Sequence, residues 1–245
     1  MNSFSSAHPH LWSLGEFLFG REIPLLMIKK DTIIHTWIIL GILLVTIVAI
    51  RWALRDKNGI VYFLTLSYVQ FFKNLCDQSI GAFFFNHVTF IISLFTFILL
   101  CNTIAIIPSM EEPTTDINTT LALGLIAFIY TQVTALYHHG PVAYIKEYFS
   151  PFFIMFPLHV IGKIASVISL SFRLFGNILG GALISNIYLN AIKGSLLLEF
   201  IGLLSGFNLA ILVFFGLFEG FLQAFVFTML SLTYLSIAIR GEEGS

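Results

Sequence analysis

"PFFIMFPLHVIGKIASVISLSFRLFGNILGGALISNIYLNAI", residues 151–192, is almost wholly apolar and carries two charges, Lys163 and Arg173. A membrane crossing needs about 20 apolar residues. This run is about twice that, so as one helix it must tilt strongly, bend or break to stay in a hydrocarbon core about 30 Å thick. At about 100° per residue, His159, Gly162, Ser166, Ser169, Arg173, Asn177 and Gly180 fall within roughly 40° of Arg173. That stripe is polar or glycine throughout until Ile184 ends it, and the other faces are mostly Ile, Leu, Val and Phe. Lys163 lies about 80° off the stripe, where its stem allows it to snorkel to the membrane edge.

A permanent cation in lipid costs at least a few kcal/mol and marks a functional position by default. Arginine stays protonated in a protein, yet no Asp or Glu occurs from Tyr148 to Leu198. The second long run, 195–239, offers a weaker stripe of Ser205, Gly216, Glu219, Gln223 and Tyr234, shared with Leu212, Phe227 and Leu230. Its polar middle, Gly216 to Gln223, is the informative part. Either Glu219 pairs with Arg173, or the partner carboxylate belongs to another protein. Gly176, Gly180, Gly181 and Ala182 would let such a partner approach closely. Asn177 and Gln223 have hydrogen-bond glue between helices as their alternative, purely structural reading.

The whole chain agrees with a life in lipid. Of its 245 residues 58% are hydrophobic and only 10% charged, against about 25% charged in a soluble domain. Net charge −1 gives no case for nucleic-acid binding. Three further stretches are long enough to cross: 32–54, 87–108 (stopped by Pro108) and 118–139. With 151–192 and 195–239 they predict an all-α polytopic membrane protein of about five membrane helices in a single domain, 1–245. Residues 55–81, interrupted by Lys73 and Asp77, read as an interfacial helix. Residues 1–31 lack a signal-peptide cleavage site and read as an ordered, partly interfacial N-terminus. The end of span one and the segment after it carry Arg51, Arg55, Lys57 and Lys73, whereas Glu111, Glu112 and Asp116 follow span two without a Lys or Arg. The positive-inside rule then puts the first loop in the cytoplasm and the N-terminus and acidic loop outside. Cys76 and Cys101 have no metal-ligand spacing and read as small apolar residues, and His8 and His10 as solvent-facing. No cofactor or metal is expected.

"SLSFRLFGN" (169–177) with "LQAFVFTMLSLTYLS" (222–236), and in the right order "NTIAIIP" (102–108) and "PTTDINTTLALGL" (113–125), resemble subunit a of the F-type ATP synthase over roughly residues 30 to 240. The Arg-Leu-Phe-Gly-Asn motif in this setting is highly specific. The resemblance implies that Arg173 is the arginine facing the rotating c-ring, with Asn177 and Gln223 as polar neighbours. It implies that Asn102 and Thr114 belong to an outer aqueous half-channel, Ser169 to a cytoplasmic one, and that Tyr234 is the tyrosine near the C-terminus. It further implies a final helix pair tilted as a hairpin against the ring, peripheral-stalk b subunits as partners and a bacterial plasma membrane rather than an organellar one. The chain departs from the family at several points. His159 stands where a Glu often precedes the arginine by fourteen residues, Ser166-Val167 where Arg/Lys-Pro often stands, and Ala182 where some members carry Glu or His. Gly216 takes the place of an ionisable group seven residues before the glutamine, and Glu219, one turn closer, is positioned for that job.

On this reading the c-ring supplies the missing acid, and Arg173 separates two offset half-channels. The outer would use Asn102, Thr114, Glu219 and Gln223, the inner Ser169, Ser166 and His159. The subunit would be non-catalytic, since it has no Gly-rich phosphate loop. Two other classes compete. A stand-alone secondary transporter would show internal repeats or paired broken helices, and none is visible. An intramembrane enzyme would need a nucleophile–base or metal motif, and neither His-Glu-x-x-His nor Gly-x-Ser-x-Gly occurs. A Na⁺-translocating version of the same subunit remains open, because ion choice rests mainly with the ring.

Overall fold

A computed structural model describes residues 11–13, 27–55, 59–81, 84–104, 107, 110, 112–141, 144, 155–193, 206, 210 and 212–240. The helices are α1 (Lys30–Ala53), α2 (Ile60–Ile80), α3 (Phe85–Thr103), α4 (Ile117–His139), α5 (Met155–Ile192) and α6 (Glu219–Arg240). A short 3-10 turn, Pro113–Thr115, precedes α4, and a π-helical segment, Leu212–Phe218, runs into α6. Five helical stretches are long and apolar enough to cross a membrane: Asp31–Ala53, Phe85–Thr103, Ile117–His139, Phe156–Ile192 and Val213–Arg240. The protein is an all-α polytopic membrane protein. α2 is not among the five.

Several boundaries differ from the sequence reading. α3 stops at Thr103, ahead of Pro108, and Pro108 itself lies outside the described residues. The last long run is described continuously only from Leu212, and most of 195–211 lies outside the described residues. Within 1–31, where no strand was expected, Leu11–Ser13 pairs antiparallel with Met27–Lys29. His8 and His10 are not described.

Several helical hydroxyls are satisfied by their own helix's backbone, whereas the buried Thr228 Oγ1 of α6 has no partner among the described residues. The hydroxyls of Thr36, Thr46, Thr89, Thr96, Thr131 and Ser171 donate to the carbonyl four residues back, at 2.7–2.9 Å. Back-bonding of this kind satisfies a donor that hydrocarbon cannot. α1 is mostly exposed, Ile39 being its one buried described side chain, as suits a helix facing lipid. α3 buries His87, Val88, Ile91, Leu94, Phe95, Ile98, Cys101 and Asn102, a three-to-four-residue repeat that points one stripe inward. α2 buries Phe72, Cys76 and Ile80 at four-residue spacing, and its Tyr68 and Phe72 rings meet Phe95 of α3.

α6 lies between α3 and α4, and α5 lies along α4. Small residues allow these approaches. A Cβ on Gly124 of α4 would overlap Ser171 Oγ of α5, and one on Gly220 of α6 would sit 3.1 Å from Asn102 Cβ of α3. Backbones this close give the dispersion contacts that hold helices together where burial from water does not operate.

The two ends of the bundle are tied differently. At one end His139 Nε2 of α4 is 3.0 Å from Ala238 O, Ser236 Oγ donates to Ser79 O at 2.5 Å, and Arg240 Nε donates to Ile80 O at 3.3 Å. These contacts gather the C-termini of α2, α4 and α6. The opposite end holds the C-terminus of α3, the 3-10 turn and the start of α6.

Candidate functional site: two polar sites and an arginine between them

The first site forms where α3, the 3-10 turn, α5 and α6 meet. Thr114 Oγ1 donates to Asn102 Oδ1 at 2.9 Å, and Asn102 Nδ2 donates to Gly220 O at 3.1 Å. Asn102 and Thr114 are fully buried, so this amide uses both ends to join the turn, α3 and α6. Next to Gly220, Glu219 points at α5. A Cβ on Gly181 would stand 3.0 Å from Glu219 Oε2 and 3.1 Å from Phe215 Cδ1. Oε2 is buried and takes no hydrogen bond from any described residue. The π-helical segment ends immediately before Glu219. Its wider turn is a deviation often found at working sites.

Glu112 caps the 3-10 turn, and its carbonyl accepts from Thr115 N and Thr115 Oγ1. Burial, with Glu219 adding its like charge, lifts its carboxyl from the ordinary 4.5 to about 8. The sequence reading counted Glu112 only among the acids of the outer loop. The available signal was its place just before the Pro113-Thr114 pair, but burial of a loop acid depends on packing that spacing does not reveal.

The second site is a cavity of about 310 Å³ at the Arg240 end, between α4, the start of α5 and the end of α6. His159, Lys163 and Ser166 of α5 line it, with Thr131 and Gln132 of α4, Tyr144, and Ser231 and Tyr234 of α6. Tyr144 OH donates to Gln132 Oε1, and Lys163 Nζ lies 5.2 Å from the Tyr144 ring centroid. Lys163, expected off the stripe, is thus part of the polar wall. Its amphipathic stem lets it span from the helix to that position. Ser166 Oγ donates to Gly162 O at 2.9 Å and Lys163 O at 3.1 Å. Thr131, Gln132, Tyr144 and Ser231 were not singled out from sequence, because each is a single polar residue in an otherwise unremarkable segment.

Arg173 lies between the sites. It follows Ser166 by seven residues and precedes Gly181 by eight, roughly 10 Å and 12 Å along the helix. It is exposed, as is Ser169 one turn before it, while Asn177 and Gln223 are half-buried. Ser169 therefore shares the arginine's face and not the cavity. Glu219 Oε2 has no donor, so it makes no ion pair with Arg173 through that oxygen. The structure thus gathers Asn102, Thr114 and Glu219 at one end and His159, Ser166 and Tyr234 at the other. Among the described residues no group of three or more His, Cys, Asp or Glu could hold a metal ion. Cys76 and Cys101 are both buried free thiols.

Comparison with known proteins gives a consistent result. The family described as ATP synthase A chain matches residues 33–236. ATP synthase subunit a of Syntrophobacter fumaroxidans is 35% identical over 237 residues, covering 93% of this chain and 88% of its own length. The subunit a of Moorella thermoacetica is 32% identical, covering 86% of this chain and 92% of its own length. That of Geotalea daltonii is 32% identical, covering 87% and 89%. The chain belongs to the ATP synthase subunit a family.

Proposed function

We propose that this chain is the stator ion-channel subunit of an F-type ATP synthase, a single membrane domain of the bacterial plasma membrane, working beside a c-ring and held by peripheral-stalk b subunits. It catalyses no chemical step. It controls where protons may enter and leave ring carboxylates. The observation that carries the reading is the placement of two polar sites at opposite ends of the α5–α6 pair, with Arg173 exposed between them.

With the N-terminus outside, the Asn102–Thr114–Glu219 site opens to the outside and the His159–Ser166–Tyr234 cavity to the cytoplasm. Gln223, one turn beyond Glu219, and Ser169, one turn before Arg173, lead from each site toward the ring. The last two helices tilt as a hairpin to present this face. A ring carboxyl arriving beside Arg173 is favoured in its ionised form, because an opposite charge at ~4–6 Å lowers a carboxyl pKa by ~1–3 units. It therefore gives up its proton before passing the arginine and takes one from the other path afterwards. Facing lipid, the ionised form is costly, so each site must be neutral to complete the circuit. The fixed guanidinium also repels a proton moving directly between the paths. Each charge crossing 100 mV supplies about 2.3 kcal/mol.

The test is proton-driven ATP synthesis in membrane vesicles carrying the Arg173→Ala complex. Synthesis falls to background although the complex assembles and co-purifies with the ring. Normal coupled synthesis overturns the reading, and a chain that travels without a ring of small hairpin proteins favours the stand-alone transporter.

A further inference from the structure

The geometry points to Glu112 as a proton-relay residue of the Asn102 end, working as a pair with Glu219. This deepens the proposed function and rests on it. Glu112 is held at the head of the Pro113–Thr115 turn, and Thr114 of that turn is bound through Asn102 to Gly220 O, beside Glu219. The turn is therefore clamped to α6 by two buried hydrogen bonds, which fix the loop acid relative to the helix acid. Glu219 Oε2 is buried against Gly181 with no donor from any described residue. An ionised carboxylate oxygen so placed is costly, whereas a carboxyl sharing a proton with a neighbour is not.

Among the described side chains, the other ionisable groups on the elements around this end include Asp116 after the turn, Asp31 and His35 early in α1, and Tyr188 and Lys193 at the close of α5. Asp116 is engaged as the cap of α4, accepting from Asn118 N at 3.0 Å. α3 contributes the neutral Asn102 here, and α5 the neutral Gly181. Two neighbouring carboxyls whose like charges oppose each other favour holding one proton between them. The burial that lifts Glu112 to about 8 supports the same picture. The step is simple in its balance. The pair starts with its one proton on Glu112 and Glu219 ionised. Glu112 yields that proton to Glu219, and as Glu219 passes it on toward the ring Glu112 takes the next from outside water, so the pair again holds one proton.

The test uses the assembled complex in vesicles, comparing Glu112→Gln, Glu112→Asp, Glu219→Gln and the double Gln variant. Passive proton conduction is measured while pH is varied separately on each side. Glu112→Gln slows conduction about tenfold, less than the ~10²–10⁴ typical of removing an acid–base group at the reacting centre, because Glu219 remains. Dependence on outside pH changes, dependence on cytoplasmic pH does not, and Glu112→Asp restores most of the rate. The double variant is no slower than Glu219→Gln alone, as expected for two residues in series. A wild-type rate with unchanged outside-pH dependence in Glu112→Gln overturns the relay. So does loss of assembly in both Glu112→Gln and Glu112→Asp, which makes the residue structural. Failure here with Arg173→Ala still uncoupled leaves the stator reading standing, whereas coupled synthesis in Arg173→Ala removes the reading itself.

Discussion

Gly181 of α5 and Glu219 of α6 are fitted to each other, because a single methyl on residue 181 would reach to 3.0 Å from Oε2 and 3.1 Å from Phe215 Cδ1. The missing side chain on one helix is the space that receives the carboxylate of the other. Gly181→Ala forces Glu219 to shift by tenths of an ångström, and Gly181→Val displaces it outright. Proton conduction in vesicles is expected to fall a few-fold for Ala. For Val it falls toward the ~10²-fold that a misplacement of about 1 Å can cost. Equal rates in all three forms would detach Glu219 from the path.

Arg173→Lys keeps the charge but not the chemistry. A lysine loses its proton when desolvated and presents a point charge in place of a planar fork. ATP synthesis is expected to stay well below wild type, and proton leak through the stripped membrane sector to rise. Full coupling in the Lys variant would show that charge alone suffices.

Gly124 and Ser171 test the packing of α4 on α5. Gly124→Ala puts a methyl onto Ser171 Oγ, and overpacking of this kind costs about 1–3 kcal/mol. The variant complex should lose this subunit at lower temperature in detergent. Ser171→Ala on the same chain removes the overlapping oxygen and should recover most of the loss. Additive damage in the double variant would count against the contact.

The pH dependence of stability follows from Glu112. Its carboxyl rises from 4.5 to about 8 on folding, so the folded form binds the proton more tightly than the unfolded form. That contribution is complete below about 4.5 and is lost as pH rises through about 8. Within that window the group alone lowers stability by up to about 1.4 kcal/mol per pH unit. The temperature at which the subunit leaves the purified complex should fall across this range. Glu112→Gln should flatten the curve. An unchanged slope would mean that Glu112 is ionised when folded.

How much of this was legible follows from what spacing can encode. Periodicity placed His159, Ser166 and Arg173 on one face, and a run of twice the crossing length marked α5 before any neighbour was known. It could not tell that Ser169 and Ser166, three residues apart, part company, one exposed and the other in the cavity wall. That division depends on where α4 and α6 lie. Glu112 escaped for the same reason, since its burial comes from a turn clamped by Asn102. The π-helical segment before Glu219 and the strand pair near the N-terminus had no periodic signal, each being set by hydrogen bonding over a few residues.

The bonds of Arg240 and Ser236 to the carbonyls of Ile80 and Ser79 have a mechanical meaning under the proposed function. They moor the far end of α6 to the close of α2. A rotor dragging sideways on α6 would load this mooring, and α2 would carry the reaction force into the rest of the stator as a strut does. Severing it should leave the proton path open but make the machine slip under torque.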